Sequence, residues 1–167
     1  MNSGALAKRR ARLRPAQTVA VREQILLFRI GDGTYGLGVD KVWEILTPEG
    51  VTDLPTPPHQ ICTALAYRAR RLPLIRLSEL FGVPLYQVPA EARVLLTESH
   101  QGLLGLLVEQ VLGLAEVRHG QVARLPALAT LLDPRLFRGA FTRDEGVVVL
   151  LDPDGLGALE EVAQFHA

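Results

Sequence analysis

Ile25-Leu26-Leu27-Phe28-Arg29-Ile30, Gly31-Asp32-Gly33 and Thr34-Tyr35-Gly36-Leu37-Gly38-Val39 follow one another without a break. The first run is bulky and apolar, the middle is a strong turn signal, and the third is rich in strand formers. Together they predict a β-hairpin. Just beyond it, Val42, Ile45 and Leu46 fall on one side of a short helix or turn that Pro48 stops.

The same plan recurs further on. Arg93–Glu98 predicts a strand, Ser99-His100-Gln101-Gly102 a turn, and Leu103–Val108 a returning strand. Val39-Asp40-Lys41-Val42 follows the first hairpin, and Val108-Glu109-Gln110-Val111 follows the second, 69 residues later. Leu74-Ile75-Arg76-Leu77 and Val149-Leu150-Leu151-Asp152 form a second echo about 75 residues apart. The shared order predicts a duplication, built as two similar small barrels whose closure hides their strand edges.

Between and beyond these, strands are expected at Ile61–Arg68 and Arg71–Leu77, with Leu54-Pro55-Thr56-Pro57-Pro58 as a stiff loop before them. Ser78 is placed to cap a short helix ended by Gly82. Alternation is expected around Val117–Leu125 and a helix over Pro126–Leu132. Leu136–Thr142 and Val147–Leu151 should pair across Arg143-Asp144-Glu145-Gly146. Asp152-Pro153-Asp154-Gly155 reads as a turn, and Leu156–Phe165 has helical spacing.

Composition fits a mostly β domain: 167 residues, 48% hydrophobic, 22% charged, with 15 glycines and 11 prolines. The net charge is zero but uneven. The first 22 residues hold six basic groups (Lys8, Arg9, Arg10, Arg12, Arg14, Arg22) and no acid. Residues 1–22 therefore read as a basic tail, with a short helix around Ala5–Leu13, and residues 23–167 as the folded domain. Of 18 basic and 18 acidic groups, that leaves 12 and 18 in the remainder, a net charge of −6. A body of that sign is ill suited to wrapping nucleic acid, so no nucleic-acid partner is expected. No apolar run reaches the ~18 residues of a membrane helix, so no stable membrane insertion is expected. The arm is expected to add only weak attraction to an anionic bilayer, about 1 kcal/mol per Lys or Arg near the surface.

Little in the chain asks for catalysis. Gly31, Gly33, Gly36 and Gly38 spell G-x-G-x-x-G-x-G, yet a dinucleotide loop needs a helix immediately after its glycines, and a strand-like stretch comes next here. His59, His100, His119 and His166 are scattered without metal-ligand spacing. Cys62, the single cysteine, lacks a CxxC partner, which excludes an internal disulfide and fits a reducing compartment. The acid pairs sit in turns or on the last helix, where a solvated surface explains them. No cofactor and no metal are expected. Trp43 is either a core residue or an interface anchor. Arg68 and Arg70 read as one face of a strand, with Arg71 on the other. A charged contact to a partner is one use for them.

The ordered set from Phe28 to Leu46, including Val42-Trp43-Glu44-Ile45, continues through Leu54-Pro55, Pro58, Ile61, Arg68, Leu72-Pro73-Leu74-Ile75 and Leu80-Phe81-Gly82. With Leu107-Val108-Glu109-Gln110-Val111, Phe137-Arg138-Gly139 and Leu150-Leu151-Asp152, it resembles the CheW-like domain over about residues 24–163. The resemblance implies two SH3-like five-stranded β-barrels and a cytoplasmic, non-catalytic adaptor. The implied partners are the regulatory domain of a CheA-type histidine kinase and the cytoplasmic tip of a methyl-accepting chemoreceptor. It places Glu44 and Ile45 in the family's V-x-E-I motif and Arg68 in its N-L-R-G motif, both tied to partner contact. Trp43, Arg70 and Glu109 complete the candidate partner-binding set.

Three departures stand out. Ala66-Tyr67-Arg68-Ala69 replaces N-L-R-G, Thr63 replaces the usual glycine before it, and Glu109 stands where aspartate is usual. Losing the glycines is expected to alter the backbone there. A CheW-like module that has kept only one partner, in a pathway outside chemotaxis such as motility or gene regulation, is the second reading.

Overall fold

The structure, a computed structural model, describes residues 21–49, 60–83, 87–125 and 132–166. Ala5–Leu13, Leu54–Pro58 and most of Pro126–Leu132, which the sequence reads as a helix, a loop and a helix, lie outside the described residues.

Ten strands form two five-stranded sheets: β1 (Arg22–Ile30), β2 (Gly33–Gly38), β3 (Val42–Leu46), β4 (Cys62–Tyr67), β5 (Arg70–Arg76), β6 (Arg93–Ser99), β7 (Gly102–Val108), β8 (Gln110–Arg118), β9 (Phe137–Arg143) and β10 (Gly146–Leu151). Among the described residues three short α-helices accompany them: α1 (Leu77–Leu80), α2 (Pro153–Gly157) and α3 (Glu160–His166). Arg22, assigned to the tail by its charge, is the first residue of β1.

The first sheet runs β8-β1-β2-β10-β9 and the second β3-β6-β7-β5-β4. Their plans are the same. Each centres on an antiparallel hairpin, β1–β2 or β6–β7. Each adds a parallel strand beside the second hairpin strand, β10 or β5. That strand carries its own antiparallel hairpin partner, β9 or β4.

The duplication is therefore real in three dimensions, with one feature no sequence echo showed. After the first hairpin the chain leaves its sheet, and β3 pairs with β6 of the second. After the second hairpin it returns, and β8 pairs with β1 of the first. The repeated V-acid-polar-V stretches sit at these two crossings. The halves exchange outer strands and cannot be separated without unpairing both sheets.

The hydrophobic pattern is explained by this placement. Strands covered on both faces read as unbroken apolar runs rather than alternating ones. In β1, Ile25 and Leu27 enter the first sheet's own core, while Leu26, Phe28 and Ile30 enter a central core shared by both sheets. In β6, Val94 and Leu96 fill the second sheet's core and Leu95 the central one. The helices contribute Leu77, Leu80, Leu156 and Val162 to the centre. Each fully buried side chain of this kind stabilises the fold by roughly 1.5–3 kcal/mol.

Gly36 and Gly105, also 69 residues apart, occupy matching places. A Cβ on Gly36 would lie 3.0 Å from Leu150 Cδ2, and one on Gly105 would lie 3.0 Å from Leu74 Cδ1. Both glycines let the parallel strand's side chains close over the hairpin, and neither belongs to a phosphate loop. Gly33–Gly38 is β2, and the chain passes from it through a single 3-10 turn, Val39–Lys41, into β3.

Several local expectations are corrected. Val42, Ile45 and Leu46 lie on a strand, because β3 completes the edge of the second sheet. The alternation placed around Val117–Leu125 starts earlier: it is β8, which ends at Arg118 before a 3-10 turn at His119–Gln121. Ser78 is buried inside α1 and caps nothing. Asp152 caps α2 by accepting the Asp154 N–H at 3.0 Å, so Pro153–Gly157 is a helix and not a turn, and Leu156–Phe165 is divided between α2 and α3. Proline at the first helical position and an aspartate before it are start signals for a short helix as much as for a turn.

Candidate protein-docking surface

β3 is an edge strand with one face turned outward. Val42, Glu44 and Leu46 are half-buried, while Trp43 is 63% and Ile45 46% exposed. Pairing with β6 steps from Val42↔Thr97 to Glu44↔Leu96, which leaves Trp43 as the extra residue of a β-bulge. Its indole N–H donates to Glu98 Oε2 at 3.2 Å. Of the two places open to Trp43, core or surface, it takes the surface.

The opposite edge of the same sheet is β4. Sheet curvature brings the two edges together through side chains. Tyr67 O–H donates to Glu44 Oε2 at 2.6 Å, and Arg68 Nη2 lies 3.7 Å from the same oxygen. The Arg68 guanidinium carbon sits 5.2 Å from the Tyr67 ring centroid, within cation–π range. The Tyr67 phenol is pushed above its ordinary value, chiefly by its hydrogen bond to the Glu44 carboxylate and then by burial, with Arg68 opposing. Glu44 and Arg68, which the sequence put in two separate motifs, are thus neighbours.

Arg68 is not a strand residue sharing a face with Arg70. It and Ala69 form a two-residue hairpin loop, with φ of 44° and 60°. Left-handed backbone at both positions matches the twist of the flanking strands, so the tight turn survives without the family's glycine. Holding alanine in that left-handed region strains the backbone. An alanine in this region costs about 1–2 kcal/mol. Ala69→Gly should recover part of it, because glycine's greater freedom in the unfolded chain offsets some: we expect a gain of about 0.5–1 kcal/mol. A urea midpoint that stays put or falls would contradict this.

Arg70 is exposed on β5. Glu109 is not presented at all. It is 7% exposed, its carboxylate accepts the N–H of Gly31, and its own N–H donates to Arg29 O at 3.1 Å. Gly31 is left-handed at φ 59°, so Glu109 pins the first hairpin's turn to the second crossing. A buried acid with a backbone donor explains its place without any partner.

Sequence reasoning missed the matching place on the first sheet. There the pairing of β1 with β8 steps from Leu27↔Gly113 to Phe28↔Val111, which makes Leu112 the extra residue. Leu112 and Leu114 are 46% and 56% exposed. They lie 69 residues after Trp43 and Ile45, so the echo, extended by a few residues, would have found them.

Beside this edge, Glu23 accepts two hydrogen bonds from Arg138, both at 2.9 Å, which ties β1 to β9. His119 Nε2 lies 3.7 Å from the same carboxylate. The Arg138 bond holds the Glu23 carboxyl below its ordinary 4.5, against the opposing effect of burial, with the charges of Arg138 and His119 adding. A depressed acid stabilises the fold above its unfolded value and ceases to as pH falls through the folded one. Stability should therefore drop on acidification below about pH 4.5, and Glu23→Gln should flatten that slope by up to about 1 kcal/mol, since the pair is partly solvent-screened. Equal slopes in urea titrations would refute this.

Among the described residues no group of three or more His, Cys, Asp or Glu is arranged to hold a metal, and no helix is long and apolar enough to cross a membrane. Two interlocked five-stranded sheets, each with an outward apolar pair on a bulged edge strand, define a two-subdomain β protein. The CheW-like domain profile matches residues 24–161, and the chain belongs to the CheW-like family, whose members are non-catalytic scaffold proteins. The chain is 25% identical over 143 residues to the chemotaxis protein CheW of Klebsiella aerogenes, covering 86% of each. It is 29% identical over 133 residues to the protein PilI of Pseudomonas aeruginosa, covering 78% of this chain and 74% of that one. The crystal structure of the scaffolding protein CheW from Thermoanaerobacter tengcongensis superposes with a TM-score of 0.73 at 20% identity, covering 86% of this chain and 92% of that one. At that identity the likeness speaks for the fold alone.

Proposed function

We propose that this chain is a cytoplasmic adaptor of bacterial chemosensory signalling that couples the cytoplasmic tip of a methyl-accepting chemoreceptor to the regulatory domain of a CheA-type histidine kinase. The observation that carries this reading is the outward face of β3: Trp43 and Ile45 exposed beside the Arg68 hairpin tip, on a chain matched to the CheW-like domain. Aromatic and arginine side chains next to an apolar anchor are the composition of protein-docking hot spots. The Leu112–Leu114 edge offers a second face on the same rigid body. Two modest interfaces on one body raise the effective concentration of one partner near the other, which is all a coupling adaptor has to do.

The test is titration of the purified chain with the regulatory domain of a CheA-type kinase and with a receptor-tip fragment, alongside Ile45→Ala and Arg68→Ala. Micromolar or tighter binding that either substitution weakens supports the reading. A folded wild type that binds neither partner would end it. A relative that is not named for chemotaxis, the protein PilI, favours the second reading, in which the chain keeps one of these contacts and serves a pathway outside chemotaxis such as motility or gene regulation. Binding to only one of the two partners would support that reading.

A further inference from the structure

Tyr67 is the residue on this face that the family pattern does not account for, since the N-L-R-G motif has leucine there. Its ring is half-buried, its hydroxyl donates to Glu44 Oε2 at 2.6 Å, and the Arg68 guanidinium lies over it. One carboxylate oxygen is thus shared between a phenol and a guanidinium. Leucine would leave Glu44 with Arg68 alone and would give Arg68 no ring to rest on.

The charges around Trp43 and Ile45 then form a pattern. Two acids beside the pair are engaged within the chain: Glu44, between them on β3, by Tyr67 and Arg68, and Glu98, on β6, by the Trp43 indole. The Arg70 side chain, next to the Arg68 tip on β5, is exposed and makes no ion pair or hydrogen bond among the described residues, while Arg71 alternates to the other face of the strand. Internally bonded carboxylates tolerate desolvation under a partner far better than free ones. Arg70, by contrast, remains open to outside acceptors.

We propose that Tyr67 is a positioning residue that sets the specificity of this face. It occupies Glu44 and holds Arg68 in place at the strained hairpin tip. The face therefore offers an apolar pair with a cationic rim, and the partner surface it fits is an apolar patch rimmed by carboxylates. This inference rests on the reading of Trp43, Ile45 and Arg68 as a docking face.

The test uses the full chain as wild type, Tyr67→Phe, Tyr67→Leu, Glu44→Gln and the Phe/Gln double variant. Binding to the regulatory domain of a CheA-type kinase is titrated at low and at moderate salt, with melting temperature and the NMR order parameter of the Arg68 Nε–H measured in parallel. Tyr67→Phe keeps the ring and loses only the hydroxyl, and should weaken binding about fivefold, a part of the loss that one hydrogen bond to a charged group can cause, since the hydroxyl acts on the partner through Arg68. Tyr67→Leu loses the ring as well and should weaken it about tenfold or more. The double variant should bind no worse than the weaker single one, because both substitutions remove the same contact. Wild-type affinity should fall with added salt, as a cationic rim meeting carboxylates requires.

Unchanged binding by Tyr67→Phe, or a loss confined to melting temperature, overturns the proposal and leaves the contact a structural clasp. So do additive losses in the double variant. A wild type that binds no kinase domain is a failure of the adaptor reading instead. The positioning role is then judged by the Arg68 Nε–H alone: order lost in Tyr67→Phe supports it, and unchanged order overturns it.

Discussion

Phe28→Ala should lower the unfolding free energy by about 3–5 kcal/mol, the usual loss when a buried aromatic is cut back to alanine. Phe28 is fully buried on β1 and lies in the central core that both sheets share. Its ring stacks on Tyr35 with centroids 6.4 Å apart, and the stack continues through Tyr35 to Phe81 at 4.9 Å and on to Phe137 at 6.0 Å. Removing the first ring opens a cavity at the seam where the exchanged strands cross, and neighbours held by two sheets at once have little room to close it. Against a total of roughly 5–15 kcal/mol for a domain, this loss is large enough to leave part of the population unfolded at moderate temperature. Urea denaturation measures it directly. A cost below about 1 kcal/mol would mean that the central core is not packed as a unit.

The reverse pattern is expected for another large aromatic. Trp43→Ala should weaken kinase-domain or receptor-tip binding by about 30-fold or more, the scale of a tryptophan hot spot. It should change stability by only about 0.5 kcal/mol, because an exposed side chain away from the core contributes little to folding. The indole is 63% exposed, lies at a bulge that turns it outward, and is held there by its N–H bond to Glu98. Calorimetric titration and a denaturation curve on the same sample separate the two quantities. Stability loss with intact binding would make Trp43 a packing residue and move the docking face elsewhere.

Much of the architecture was legible in the linear pattern. The first hairpin, the second hairpin and the Arg143–Gly146 turn were readable because turn residues punctuate apolar runs. The duplication was readable because two crossings and two parallel strands repeat in order. What failed was short and local. In β3, the spacing of Val42, Ile45 and Leu46 suits a helical stripe as well as a strand, and only pairing to β6 decides between them. The Asp152–Gly155 stretch carries signals that serve turns and helix starts alike.

The site was half legible. Glu44 and Arg68 came from two separate motif positions and lie within ion-pair distance, with Ile45 next to Glu44 on β3. Glu109 came from a motif position too, and it is spent on holding Gly31. A motif marks residues that matter and does not say whether they matter to a partner or to the fold. Tyr67 stands inside a motif but departs from it, and the Leu112–Leu114 edge lies just past the end of the sequence echo. One became visible through a hydrogen bond between opposite sheet edges, the other through a matching bulge.

The amino-acid order by itself determined a duplicated, mostly β chain of alternating turns and apolar strands, because those signals depend on neighbours in sequence. Which half each outer strand joins, whether an apolar residue on such a strand faces core or solvent, and whether an acid meets a partner or a backbone N–H were decided only by tertiary structure. Those outcomes depend on contacts between residues 23 to 115 positions apart, such as Tyr67 with Glu44 and Arg138 with Glu23, and no local pattern encodes them.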